Sequence, residues 1–379
     1  MPLNSSSTSN SRLSPRQQAV RTASWLLAGL LLLEIATRWI CFDENGLPRP
    51  RMGSIARAFD YGRSTEGKLL RMLDDNSGAA HPLADVGWIR PALPHRPTSP
   101  GPEQDLLVAV YGMSFSHQIA DRMRTQDPKL AVRMSGGPSA PLSQCVALFE
   151  ADRGHHSAKV VILGVLASSL TGVLAMSHMT WNFDAPAATL FPRYAMLDGR
   201  LTRHDPPATN LAELRALVAK EDGWLRLRNE LREHDVFFDP LQFDRALDGS
   251  ILARLARRSL GQRNTTATNS RLHNASGFTN EDHMATIARA LAKQFVERAR
   301  ADKTLPVLLL IENIGYADHL DRLFASLESD SDLVYFATHH LADPSDAKLF
   351  LADGHFTPDT NDRLAAALLA RINSSLGRD

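Results

Sequence analysis

A chain of 379 residues is longer than the roughly 100–200 residues of one average domain, and its 44% hydrophobic content is ample for a sizeable core. Its 42 basic and 42 acidic side chains cancel, which removes nucleic acid from the partners that overall charge would favour. Two cysteines, Cys41 and Cys145, are too few for a disulfide framework or a thiolate metal site.

Residues 1–21 form a polar, Ser-rich leader that carries Arg12, Arg16 and Arg21. Thr22 to Ile40 then reads TASWLLAGLLLLEIATRWI, with its apolar heart from Trp25 to Leu33. A spanning helix needs about 20 mostly apolar residues. Residues 22–41 meet that length if Glu34 and Arg38 lie near the far interface, with Arg38 snorkelling. No A-x-A cleavage pattern follows, so the expectation is an uncleaved signal anchor in the inner membrane. Arginines flank the span on both sides and leave the positive-inside rule undecided. The leader is expected in the cytoplasm and the body outside the membrane, in the periplasm if the cell is bacterial. An amphipathic or buried N-terminal helix is the competing reading.

Residues 42–104 are rich in Pro, Gly and charge and end in IRPALPHRPTSPGPEQ, the composition of an extended connector. Within them, FDYGRSTEGKLLRMLDD (59–75) reads as helical in its second half and is expected to pack on the body.

From residue 105 the pattern alternates. Strands are expected at Leu106–Tyr111, Lys129–Met134, Lys159–Gly164, Leu305–Ile311 and Leu333–Phe336, each a short apolar run of the kind a sheet covered on both faces requires. Helices are expected at Phe115–Arg124, Leu142–Ala151, Tyr316–Leu327 and about Thr360–Ser375. Such alternation predicts an α/β domain over 105–379, a parallel sheet with helices on both faces and ligands outside the carboxyl ends of its strands. The stretch from about 171 to 300 breaks the rhythm and reads as a helical insertion, a cap or lid. It is expected to hold helices around 211–231 and 251–260, a polar loop at 264–277, and an amphipathic helix at 282–300.

Two motifs carry chemistry. DLLVAVYGMSFS (105–116) places Ser114 just past a buried strand where a helix begins, and LADGHFTP (351–358) supplies Asp353 and His355 in a polar loop before another helix. A serine hydroxyl is a poor nucleophile unless a neutral imidazole accepts its proton, so His355 is the candidate base. Asp353 would orient the ring and stabilise the imidazolium. The backbone N–H groups of Ser114 and Gly137 are candidate oxyanion donors. Each residue also has a plainer role open to it. Ser114 suits a helix N-cap, Asp353 a turn with Gly354, and Gly136-Gly137 a turn alone. Ser116, inside the helix, reads as structural, as does Trp181. His178 and Asn182 either line the cleft or pack the cap. His155-His156 and His339-His340 read as surface pairs with no third ligand at metal spacing.

This set of blocks resembles the SGNH, or GDSL-type, esterase superfamily, in which the nucleophile follows the first strand, a Gly and an Asn come from the second and third blocks, and an Asp and His lie near the C-terminus. Gly112-Met113-Ser114-Phe115-Ser116 matches the first block, with Met113 where the family usually has Asp. Ser135-Gly136-Gly137-Pro138 matches the second, and Asp353-Gly354-His355 with Phe356-Thr357-Pro358 the last. The third departs: Gly164-Val165-Leu166-Ala167-Ser168-Ser169 lacks the Asn, leaving Ser168, Ser169 or Asn182 as substitute donors. One residue separates Asp353 from His355, a spacing similar to the alginate O-acetyltransferase branch and related membrane-anchored polysaccharide acetylation proteins, where the Asp/His motif can precede the serine. The resemblance implies a flavodoxin-like three-layer sandwich, the SGNH hydrolase fold. It also implies acyl transfer through an acyl-serine, to water or to a sugar hydroxyl, on O-acyl and most simply O-acetyl groups of an extracytoplasmic carbohydrate. No cofactor or metal is expected, and polysaccharide biosynthesis proteins are the expected protein partners. The missing Asn and Met113 favour a second reading, a catalytically silent SGNH-like domain that binds polysaccharide or scaffolds an export complex. A lipase or thioesterase with an apolar lid is a third.

Overall fold

Every residue of the first strand, Leu106–Tyr111, is buried, because helices cover the sheet on both faces and leave neither side of the pleat to water. The computed structural model describes residues 14–43, 49, 52, 58–73, 86–89, 96–178 and 188–378. Their strands are β1 Leu106–Tyr111, β2 Leu130–Ser135, β3 Val160–Leu166, β4 Arg193–Leu197, β5 Arg200–His204, β6 His273–Asn274, β7 Gly277–Phe278, β8 Leu305–Ile311 and β9 Val334–Ala337. Their α-helices are α1 Pro15–Cys41, α2 Thr65–Leu73, α3 Ser114–Gln126, α4 Leu142–Asp152, α5 Leu211–Val218, α6 Gly223–His234, α7 Pro240–Phe243, α8 Ile251–Leu272, α9 Met284–Ala301, α10 His319–Phe324 and α11 Pro358–Leu376.

Five strands form one sheet in the order β2-β1-β3-β8-β9, and all four pairings are parallel. Counting sheet strands alone the order is 2-1-3-4-5, one of the two common doubly wound orders. The chain turns back on itself between β1 and β3, and the crevice at their carboxyl ends is where such sheets place ligands. Alternate side chains feed separate cores. Leu107, Ala109 and Tyr111 pack with Val146 and Phe149 of α4 and Leu291 and Phe295 of α9. Leu106, Val108 and Val110 pack with Ile119 and Met123 of α3 and Leu364 and Leu368 of α11. The result is a three-layer α/β unit.

The chain between β3 and β8 holds two antiparallel hairpins, β4-β5 and β6-β7, and the helices α5 to α9. Here the structure corrects one expectation. The polar tract from Asn264 is helical as far as Leu272, in a 22-residue α8. Its side chains have outlets that a helix tolerates: Thr171 donates to Asn269 at 2.9 Å, Asn264 to Asp239 at 2.9 Å, and Ser270 to the Thr266 carbonyl at 2.9 Å. These bonds outweigh the modest helix propensity of Asn, Thr and Ser. Conversely, α10 starts three residues later than expected, because Gly315 and Ala317 hold positive φ values of 90° and 45°.

The connector also packs more closely than its composition predicts. In α2, Leu69 and Met72 enter the main core, and Trp88 is 1% exposed. Gly87 lies so close to Gly137 that a Cβ on Gly137 would come within 2.7 Å of the Gly87 Cα. His156, expected at the surface, is instead drawn under β1. Its Nδ1 accepts the Ala158 N–H at 3.2 Å, which leaves the Nε2 proton for the Tyr111 hydroxyl at 2.9 Å. That hydroxyl donates to Asp152 at 3.0 Å, and Asp152 pairs with Arg133 through two bonds.

The apolar window of α1 is long and apolar enough to cross a membrane, with mean hydropathy 1.5 and none of it buried against the body. Its first turn is closed by a capping box between Ser14 and Gln17.

Ser116 sits as a wedge between two glycines at the switch point. A Cβ on Gly164 would fall 1.9 Å from its Oγ, and one on Gly112 would fall 2.4 Å away. Gly164→Ala is therefore expected to destabilise the fold by about 1–3 kcal/mol, the usual range for overpacking a tight core. Urea unfolding of the full chain in detergent measures it, and Ser116→Gly in the same chain should recover part of the loss.

Candidate functional site

Ser114 is the first residue of α3, with Met113 in the cap position in extended conformation. The hydroxyl is therefore not spent on capping, and the plainer N-cap role does not apply. At this position the backbone N–H is one of the four that the helix itself leaves unpaired, and it carries the positive end of the helix dipole. The serine stands directly beyond β1, at the crevice between β1 and β3.

His355 reaches it from the other end of the chain. Phe350 and Phe356 form an antiparallel bridge, with their rings packed 5.1 Å apart in the core. Between them the backbone folds back through Leu351 N–H to the His355 carbonyl at 2.6 Å and Gly354 N–H to the Leu351 carbonyl at 2.9 Å. Gly354 takes a φ of 86°, a conformation that costs a glycine little. Thr357 then caps α11 through the Thr360 N–H. The pinched loop presents the imidazole so that its Nε2 lies 2.7 Å from the Ser114 Oγ.

Asp353 serves the loop and the ring together. One carboxylate oxygen accepts the His355 N–H at 3.1 Å, and the other lies 3.2 Å from His355 Nδ1. The ring contact is bent away from a linear hydrogen bond, so Nδ1 has no directed partner among the described residues. Asp353 is 67% exposed at its side chain and His355 24%. The His355 backbone N–H is the main influence holding the Asp353 carboxyl below its ordinary pKa. The carboxylate acts as a solvated charge beside the ring, weaker than a buried partner.

Phe115 completes the mounting. Its ring stacks on His355 with centroids 4.5 Å apart and planes 22° apart, and its edge meets Phe356 at 5.5 Å. Sequence reasoning passed over this residue, although an aromatic side chain directly after the nucleophile was a readable signal.

The other expected residues are placed as follows. Gly136 lies against Gly112: a Cβ there would fall 1.5 Å from the Gly112 carbonyl oxygen. Gly137 needs to be glycine because of Gly87, a structural reason that stands beside any role as a donor. Ser168 follows β3, and its backbone N–H donates to the Asn313 side chain at 3.2 Å. Ser169 is buried and its hydroxyl donates to the Leu166 carbonyl at 3.0 Å, so it is occupied structurally. Asn182 and Trp181 lie outside the described residues. His178 is 5% exposed and packs on Phe191 at 4.6 Å. Burial drives its pKa down to about 3, which makes it a neutral packing residue. Asn313, two residues beyond β8, was another residue not singled out, though it follows a strand just as Ser114 and Ser168 do.

Two groups elsewhere bring potential metal ligands together. Asp321 Oδ2 lies 3.6 Å from His339 Nε2 and 3.8 Å from His340 Nε2, so that pair gains the third ligand its sequence neighbourhood does not supply. His204, Glu230 and His234 form the second group, with His204 Nε2 2.5 Å from Glu230. The ligand atoms of each group lie within 4.8 Å of one another.

Comparison with protein-family models, with curated proteins and with solved structures finds no match.

Two expectations test this geometry. Phe115→Ala frees the imidazole to turn away from Ser114, and a displacement of ~1 Å can cost up to about 100-fold in rate. The rate of covalent modification of Ser114 should fall by one to two such powers of ten while thermal unfolding shows a folded chain. The second concerns Glu312, fully buried beside Asn313. Desolvation raises its pKa to about 8 despite N–H bonds from Leu320 and Asp321. The folded state thus keeps a proton that the unfolded chain has already lost, so this group's contribution falls as pH rises from about 4.5 towards 8. Glu312→Gln should raise the melting temperature at pH 8 relative to the parent and do so less at pH 5; equal shifts at both would contradict the assignment.

Proposed function

We propose that this protein is an SGNH-type serine esterase or O-acyltransferase, anchored in a membrane by α1 with its body on the extracytoplasmic side. The observation that carries the reading is the 2.7 Å contact between Ser114 Oγ and His355 Nε2 at the switch point of the sheet. A serine and an imidazole in that relation, beside unpaired helix N–H groups, are the parts of a nucleophile that attacks a carbonyl.

In this mechanism His355 Nε2 takes the Ser114 proton as Oγ attacks the acyl carbonyl. Nδ1 keeps its proton towards Asp353, whose charge favours the imidazolium. The oxyanion would be met by the Ser114 N–H and by the Gly137 N–H, with Ser168 and Asn313 as polar side chains at the ends of the neighbouring strands. Expulsion of the alcohol, protonated by His355, leaves an acyl-serine. Water then yields an esterase and a sugar hydroxyl a transferase. The order of the blocks along the sheet and the pinched Asp353-Gly354-His355 turn support membership of the SGNH superfamily. A carbohydrate O-acetyl group as substrate, and polysaccharide biosynthesis proteins as partners, rest on that resemblance. Leu166, where the family carries its donor Asn, supports the silent, polysaccharide-binding alternative.

A fluorophosphonate added to the full chain in detergent should label Ser114, and His355→Ala should remove the label. Asp353→Asn should slow labelling by only about 10- to 100-fold, less than the ~10⁴ lost when a buried triad aspartate is changed, because Asp353 is solvated. A folded protein that takes no label at Ser114 would sink the enzyme reading in favour of the binding one.

A further inference from the structure

The contact between α1 and the body goes beyond a tether. Glu34, inside the apolar helix, directs its carboxylate at the N-terminus of α8. One oxygen accepts the Ile251 N–H at 2.7 Å; the other accepts the Leu252 N–H at 2.9 Å and the Ser250 hydroxyl at 3.1 Å. Ser250 in turn caps α8 by accepting the Ala253 N–H at 3.1 Å. These groups are the unpaired donors and positive end of a 22-residue helix, which suits an anion. Below them Cys41 and Phe42, at the end of α1, form a small core with Ile251.

The depth of Glu34 gives this lock its consequence. Thr22 to Ile40 spans ~28 Å at about 1.5 Å per residue, close to the ~30 Å hydrocarbon thickness. Stopping at Leu33 leaves only ~18 Å. If α1 crosses the bilayer, Glu34 therefore lies ~9 Å inside the far end of the span. Ile35, Trp39 and Ile40, around and beyond Glu34, stay exposed at 56%, 76% and 48%, as lipid-facing side chains would, and Trp is the residue type that settles at the interface. Whatever is hydrogen-bonded to Glu34 is carried to the same level. Exposed apolar side chains flank this contact along the chain: Leu247, in the turn before Ser250, and Leu255, one helical turn after Ile251, are 48% and 43% exposed.

We propose that the body is seated in the bilayer surface through this corner: Glu34 locks the start of α8 just inside the far end of the span, and Leu247 and Leu255 insert among the phospholipids. The chain thereby combines a spanning helix with an interfacial foot, which fixes the orientation of the α/β body relative to the membrane. The inference rests on α1 being a membrane span.

The test uses the full chain in vesicles of phosphatidylethanolamine and phosphatidylglycerol, with nitrobenzoxadiazole attached to single cysteines introduced by Leu247→Cys, Leu255→Cys, Leu30→Cys or Leu197→Cys, and with doxyl-labelled phospholipid as quencher. Cys41 and Cys145 are buried and leave the probes selective. Quenching at positions 247 and 255 that approaches the value at 30, and exceeds that at 197 several-fold, is the expected result. Quenching at 30 without quenching at 247 and 255 would overturn the seat and leave the span standing. Absence of quenching at 30 would remove the span and the seat with it. Adding Glu34→Ala should lower quenching at 255 to the level at 197 while position 30 is unchanged; full quenching in that variant would show that Glu34 is not the lock.

Discussion

Phe115, held between the His355 ring and the edge of Phe356, is the contact on which the candidate site depends. Ser114 and His355 are separated by 241 positions; the first opens α3 and the second lies in the loop before α11, two helices on the same face of the sheet. The apolar ridge of α3, Phe115, Ile119 and Met123, meets Phe356, Leu364 and Leu368 of the last segment in one core. Burial of those side chains supplies the free energy that brings the two polar groups together, since a single hydrogen bond contributes only about 0.5–1.5 kcal/mol net. The proposed chemistry is thus held in place by packing, with the hydrogen bond as its product.

A second constraint is the closeness of backbone at the carboxyl ends of the strands. Gly112, Gly136, Gly137 and Gly164 are all positions where a methyl group would collide with a neighbour. Gly136 after β2 abuts Gly112 after β1, Gly137 abuts Gly87 of the connector, and Ser116 fills the space between Gly112 and Gly164 of β3. This explains why the motif Ser-Phe-Ser contains two serines of opposite character: the first faces outward towards His355, and the second is a core residue with a 1% exposed side chain.

Charge is arranged around these cores with the same economy. Acidic side chains meet helix N-termini or a guanidinium group: buried Glu312, which keeps its proton near neutral pH, at the start of α10, half-buried Glu34 at the start of α8, and half-buried Asp152 with Arg133. Such placements offset part of the cost of taking these groups out of water. Asp353 differs in being exposed, which makes it the softest part of the proposed triad and a natural source of variation in activity with salt.

Much of the architecture was legible in the residues. Continuous apolar runs such as LLVAVY and LPVLLLI read as doubly covered strands, the alternation with helical periods read as a parallel sheet, and Ser114, Asp353 and His355 stood out by residue type and by falling after strands. The apolar run of α1 was equally plain. What the chain did not disclose were relations between distant segments. The helical fate of Asn264 to Leu272 was decided by partners at Thr171 and Asp239. The burial of His156 and Trp88, the meeting of His339 and His340 with Asp321, and the clasp of Glu34 on α8 all depend on which surfaces pack. Local composition and periodicity determine secondary structure and the candidate chemistry, because they act over a few residues. Only the tertiary structure decides which donors find which acceptors across the fold, because that depends on the close packing of side chains far apart in sequence.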